Sequence, residues 1–218
     1  MDPKIKESQI SVQLELKKRE KHDGKLIGVV ENGNHSHGNH ILSTIIDYSL
    51  KNNEGVCFVA LLHPQSHYNY IGMKIGFNLK SCIEKEQVKF IDNLKASQEK
   101  LLDSNSVQTG DVLLQWLCRQ VEENVKTLHK NYDRVALIVD DISVLLGLNC
   151  SVKQVQCFLQ WLLASIFIEN GGKRSSLAVL AHVETEDEES KRLAASVKHA
   201  SQFFANVAPL RTVVINRG

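Results

Sequence analysis

Apolar residues along this chain fall into two alternating spacings, short unbroken runs and longer stretches at helical intervals. Leu26-Ile27-Gly28-Val29-Val30 is a short run, and Ile41, Leu42, Ile45, Ile46, Tyr48 and Leu50 follow at the spacing of a buried helix face. Val56–Leu62 is apolar throughout, as a parallel strand covered on both faces requires, and Pro64 marks its end. Helical spacing returns at Tyr68, Ile71, Met73 and Ile75, and Val88-Lys89-Phe90-Ile91 predicts a third strand. The polar stretch from Asn93 to Gly110 reads as a long surface loop. A helix is expected from Asp111 to Leu128, with Val112, Leu113, Trp116, Leu117, Val121 and Val125 on one side. Val135–Asp141 is the clearest strand. A helix from Val152 to Ile168 stops at Asn170-Gly171-Gly172, a strand covers Leu177–Ala181, and a helix runs to about Ala200. Strand-like runs around Phe203-Phe204 and Thr212–Ile215 close the chain. Strands alternating with helices imply parallel crossovers, hence an α/β domain with a mostly parallel central sheet flanked by helices. That domain is expected over 24–218, behind a polar tail over 1–23 that carries Lys17, Lys18, Arg19 and Lys21.

Composition narrows the function classes. With 218 residues, 43% hydrophobic and 23% charged, the chain suits one folded domain. Lys plus Arg number 26 against 25 Asp plus Glu, so a net charge of +1 fits neither a nucleic-acid-coating protein nor an acidic tail protein. The cysteines Cys57, Cys82, Cys118, Cys150 and Cys157 are odd in number and form no C-x-x-C pair, which reads as reduced thiols in the cytosol or nucleus. The N-terminus has no apolar leader core and no stretch is apolar long enough to span a bilayer, so a cytoplasmic, also nuclear, protein without membrane contact is expected.

The candidate chemistry lies after the first strand. Gly33-Asn34-His35-Ser36-His37-Gly38-Asn39-His40 has the spacing of the phosphate loop G-x-x-x-x-G-K-[ST], in which backbone N–H groups cradle phosphates, Lys reaches the β/γ-phosphates and the hydroxyl holds Mg²⁺. Asn39 stands in place of the Lys and His40 in place of the Ser/Thr. Asn brings no fixed charge, and imidazole is a poor ligand for a cation that prefers oxygen. Gly33, Gly38, Asn39 and His40 therefore form a degenerate phosphate loop. Neither a catalytic residue nor a cofactor is expected.

A second half of a nucleotide signature follows about a hundred residues on. Leu137-Ile138-Val139-Asp140-Asp141 matches the strand whose terminal Asp organises Mg²⁺ and water in active nucleotidases. A buried parallel strand ending in Asp also arises when the carboxylate only binds loop backbone, because polar residues cap strand ends. With the loop Lys absent, that structural role is the favoured reading.

The segments Val56–Leu62 with Ser66-His67-Tyr68, Gly72-Met73-Lys74-Ile75-Gly76, and Leu137–Leu146 resemble the family of subunit 6 of the Elongator complex, over about Gly24 to Glu189. The resemblance implies a single RecA-like domain without working nucleotide motifs. It also implies a six-membered ring with subunits 4 and 5, accessory to the remaining Elongator subunits, which modify the wobble uridine of tRNA. Relatives continue with strand sequence beyond Arg217-Gly218, which predicts a domain truncated at its C-terminus. Two alternatives stay open: a RecA-like ATPase whose loop binds nucleotide through backbone N–H groups, and an independent adaptor of the same fold.

Other constellations carry less. His35-x-His37-x-x-His40 could converge on a transition metal, but no Cys lies nearby and structural zinc sites draw a second ligand pair, so no metal is expected. His182-Val183-Glu184 lacks the following P-C-x-x-C of a zinc deaminase, and Ser66-His67 lacks a G-x-S-x-G elbow. Glu184–Glu189 reads as a solvated acidic loop favouring the next helix N-terminus. Lys173-Arg174 and Lys191-Arg192 are the candidate RNA contacts. Each group holds few charges and no aromatic platform, so tRNA binding is expected only through the assembled ring, where small patches add.

Overall fold

The strand-forming runs are the ones that pay no polar cost when covered on both sides, and they assemble into a single sheet. The computed structural model describes residues 23–33, 38–93, 110–167, 174–184 and 186–208. In chain order the elements are β1 (Leu26–Asn32), α1 (Asn39–Lys51), β2 (Gly55–Ala60), α2 (Gln65–Ile75), α3 (Leu79–Glu84), β3 (Val88–Asp92), α4 (Gly110–Asn131), β4 (Arg134–Val139), α5 (Val144–Gly147), α6 (Val152–Phe167), β5 (Arg174–Val183), α7 (Glu188–Ala200) and β6 (Phe203–Val207). Six strands form one sheet in the order β3-β2-β4-β5-β1-β6. Every neighbouring pair is parallel.

Successive strand residues divide between the two faces. Ile27, Val29, Val56, Phe58, Ala60, Ile138 and Leu180 pack with Ile41, Leu42, Ile45 and Ile46 of α1, Tyr68 of α2 and Leu79 of α3. Leu26, Val30, Cys57, Val59, Leu137, Val139 and Val179 pack with Leu117 and Val121 of α4, Leu159 and Leu162 of α6, and Leu193 and Val197 of α7. The sheet is thus covered by helices on both faces, which is why its strands carry unbroken apolar runs. Phe58, fully buried, meets Tyr68 and Phe90 edge to face at ring-centroid distances of 4.7 and 5.3 Å.

Several boundaries differ from the sequence reading. Strand β2 ends at Ala60, and Leu61 and Leu62 turn away to meet a side chain from β4's end. Helix α3 was not foreseen, although Asn78 announces it by accepting the Ser81 N–H at its start. Gly76, at φ 122°, ends α2 and makes the break between the two helices. Asp140 and Asp141 lie past β4 rather than in it, and the single turn α5 follows them. The acidic run behaves as expected: Asp187 caps α7 by accepting the Glu189 and Ser190 N–H groups, with Glu188 and Glu189 in the first turn. The tail over 1–22, most of the long loop, the Asn170-Gly171-Gly172 stop and the Thr212–Ile215 strand lie outside the described residues.

The strand order fixes where a ligand would sit. From β1 the chain passes over β5 and β4 to reach β2, whereas from β5 it passes over β1 to reach β6. Adjacent strands whose connections depart in opposite directions open a crevice at their carboxyl ends, here between β5 and β1. Phe58 is fully buried in β2, in the core of the same sheet, so Phe58→Ala should lower unfolding free energy by about 3–5 kcal/mol, read by urea denaturation.

Candidate functional site at the strand carboxyl ends

Strand register brings three short segments to one rim. Glu31 of β1 pairs with His182 of β5, and Val139 of β4 pairs with Val179 of β5. The rim therefore gathers Glu31–Gly33, Asp140-Asp141 and His182–Glu184.

The degenerate loop keeps its backbone features. Gly33 has φ 76°, a left-handed conformation that favours glycine, and its N–H donates to the Val183 carbonyl at 3.2 Å. Gly38 opens α1 against the sheet. A Cβ there would lie 2.8 Å from Leu180 Cδ1 and 3.2 Å from Val29 Cγ1, so helix and sheet approach too closely for a side chain. His40 is exposed on α1, and the Asn39 Oδ1 atom is buried with no hydrogen-bond partner. Residues 34–37, including His35 and His37, lie outside the described residues.

Asp140 is committed to the fold. Its carboxylate is fully buried and accepts from Leu61 N–H at 2.8 Å, Leu62 N–H at 3.0 Å, Asp141 N–H at 2.7 Å and the Tyr68 hydroxyl. Burial pushes its carboxyl above the usual range, and these four donors hold it back. A carboxylate so engaged has no lone pair directed at a metal. Asp141 Oδ1 accepts from Ser143 N–H at 2.9 Å and His182 N–H at 3.3 Å. Burial, with the Asp140 charge adding to it, pushes the Asp141 carboxyl up to about 7, against the pull of those two amides.

Between these groups lies a cleft of about 720 Å³. It is lined by Glu31, Asn39, His63, Asp141, His182 and Glu184 among others, and no Lys or Arg appears among the described residues that line it. Glu31 is the residue that the sequence reading missed. Its carboxylate oxygen Oε2 lies 3.5 Å from where a Gly38 Cβ would stand, beside the N-terminus of α1. A helix N-terminus attracts anions, and in a phosphate loop that anion is the nucleotide's phosphate. Here one of the chain's own carboxylates stands near that terminus. A charged residue two places before Gly33, at the end of an apolar strand, was the available signal.

The candidate RNA contacts do not form one patch. Arg174 begins β5 and pairs with Asp23 at 3.4 Å, beside Arg134, which pairs with the same carboxylate at 2.6 Å. Lys191 and Arg192 stand in the first turns of α7, with Lys191 paired to Glu188 at 2.7 Å. Ten residues of β5 separate the two ends, roughly 30 Å. Lys173 lies outside the described residues. Among the described residues no group of three or more His, Cys, Asp or Glu side chains could hold a metal ion.

Comparison with known proteins agrees on family and fold. The family model described as Elongation complex protein 6 matches residues 8–215. Elongator complex protein 6 of Rattus norvegicus is 30% identical over 187 residues, covering 80% of this chain and 70% of that protein. The Homo sapiens protein of the same name is 29% identical over 191 residues, with the same coverage. Among solved structures, an uncharacterized Pyrococcus horikoshii protein in complex with an unknown peptide aligns with a TM-score of 0.64 at 15% identity, covering 84% of this chain and 77% of that one. A KaiC-like protein of the same organism aligns with a TM-score of 0.53 at 12% identity, covering 88% and 74%. The fold is RecA-like.

Two measurements check this account of the acids. Asp140→Ala strands three backbone N–H groups and the Tyr68 hydroxyl, and should cost about 3–5 kcal/mol by urea denaturation, with Asp140→Asn costing less because an acceptor remains. Folded Asp141 keeps its proton to about pH 7 where the unfolded residue releases it near 3.8. The folded state then binds more protons in that window. Its stabilising contribution is complete below the unfolded value and is lost as pH rises through about 7. Asp141→Asn keeps the Oδ1 acceptor, and should flatten the fall in stability between about pH 4 and pH 7.

Proposed function

The chain belongs to the Elongation complex protein 6 family, and from that premise we propose that it is a non-catalytic subunit of the Elongator accessory ring. In this reading it joins subunits 4 and 5 in a heterohexameric ring and, with the remaining Elongator subunits, supports modification of the tRNA wobble uridine. It works in the cytoplasm and also the nucleus, in keeping with five free cysteines.

The observation that carries the non-catalytic half is the crevice between β5 and β1. A nucleotidase needs cations there to neutralise phosphate charge. In this chain Asn39 replaces the loop Lys, Glu31 stands at the N-terminus of α1, and Asp140 is occupied by internal donors. The ring and tRNA half is supported by family membership. A net charge of +1, with Arg174 and Lys191 each already paired, favours tRNA contact by the assembled ring over contact by a lone subunit.

Mixing the chain with subunits 4 and 5 should give one co-eluting species of ring mass by light scattering, and the chain alone should show neither ATP turnover nor tight Mg-ATP binding. Separate elution from both subunits would defeat the ring reading. Metal-dependent turnover by the isolated chain, abolished by Asp140→Ala, would establish an ATPase instead.

A further inference from the structure

The crevice is more than a nucleotide site that has lost its Lys, because some of its acceptors have no donor among the described residues. Glu31 is only 8% exposed, lines the cleft, and its carboxylate has no hydrogen bond or ion pair among the described residues. Asn39 Oδ1 is buried there without a partner. Asp141, 5% exposed, lines the same cleft, and its Oδ1 already accepts the Ser143 and His182 amides. Acceptors with no donor among the described residues favour a donor brought to the crevice, and a carboxylate such as Glu31 favours a positive one.

We propose that this crevice binds a guanidinium side chain, an arginine presented by a neighbouring protein subunit. The proposal rests on the ring reading above for the source of that arginine. Arginine fits better than a metal ion, since among the described residues no three carboxylates, imidazoles or thiols stand close enough to hold one. It fits better than lysine, because a planar fork of donors can reach several separated acceptors at once where an ammonium concentrates its donors at one point. A cleft of about 720 Å³ has room for such a side chain. The logic of the fold is then inverted. Where an active relative positions an anion and a neighbour supplies charge to it, here the acid is built into the chain and the neighbour supplies the cation.

The test uses Glu31→Gln, which keeps shape and loses charge, Glu31→Lys, which reverses it, and Glu123→Gln on exposed α4 as a charge-matched control. In the isolated chain, L-argininamide at millimolar concentration should raise the thermal midpoint of wild type and of Glu123→Gln but not of Glu31→Gln. Mg-ATP should not raise it. In mixtures with subunits 4 and 5, Glu31→Gln should weaken assembly about tenfold and Glu31→Lys by more, while the thermal midpoint of isolated Glu31→Gln stays at or above wild type. That pairing separates a binding role from a folding one. A midpoint unaffected by L-argininamide, or raised equally in Glu31→Gln, would overturn the proposal, as would a rise with MgCl₂ alone that Glu31→Gln abolishes. Should wild type fail to assemble, the ring reading falls and the L-argininamide result still decides this one. Should wild type assemble and both Glu31 variants assemble equally well, this proposal falls alone.

Discussion

The Asp140 carboxylate ties this structure together at the end where function would reside. Parallel strands finish with carbonyls and amides that no neighbour completes, and a buried sheet must satisfy them with side chains. Asp140 does so for the end of β2 through Leu61 and Leu62, for its own turn through Asp141, and for α2 through Tyr68. It thereby sets the direction in which the chain leaves β2 and the docking of α2 under Phe58. A residue that in an active relative would face the metal is here an internal strut.

The fold was legible because burial on both faces of a parallel sheet leaves a plain mark. Val56–Ala60 and Val135–Val139 contain no polar residue to disguise their period, so the layered architecture follows from the sequence. Short elements were harder. Helix α3 has six residues and one buried side chain, Leu79, too little apolar spacing to announce itself. The phosphate loop was legible at its glycines for a backbone reason, since Gly33 needs a positive φ and Gly38 needs a missing Cβ. Glu31 was legible only as a charge at the end of an apolar strand, because strand register and helix position are what put it beside Gly38.

Loss of the loop Lys alone would leave a weakened anion site, since the N-terminus of α1 still attracts negative charge. The added carboxylate changes the sign of the whole crevice. With Glu31 and Glu184 around it and no Lys or Arg among its described lining, a triphosphate would meet like charge with no side-chain cation to offset it. On the reading proposed above, degeneration in this chain is an exchange of preferred ligand charge, which differs from simple decay of a motif.

Asp140 and Glu31 show how two buried acids on one rim can carry opposite meanings. Asp140 has four donors from its own chain and so needs nothing further; its carboxylate explains geometry. Glu31 has none among the described residues, and its carboxylate faces the N-terminus of α1 and the cleft instead. On the reading proposed above, its remaining counter-charge comes from whatever meets the crevice. Counting donors around each acid, rather than matching motifs, is what separates a residue kept for the fold from one kept for a partner.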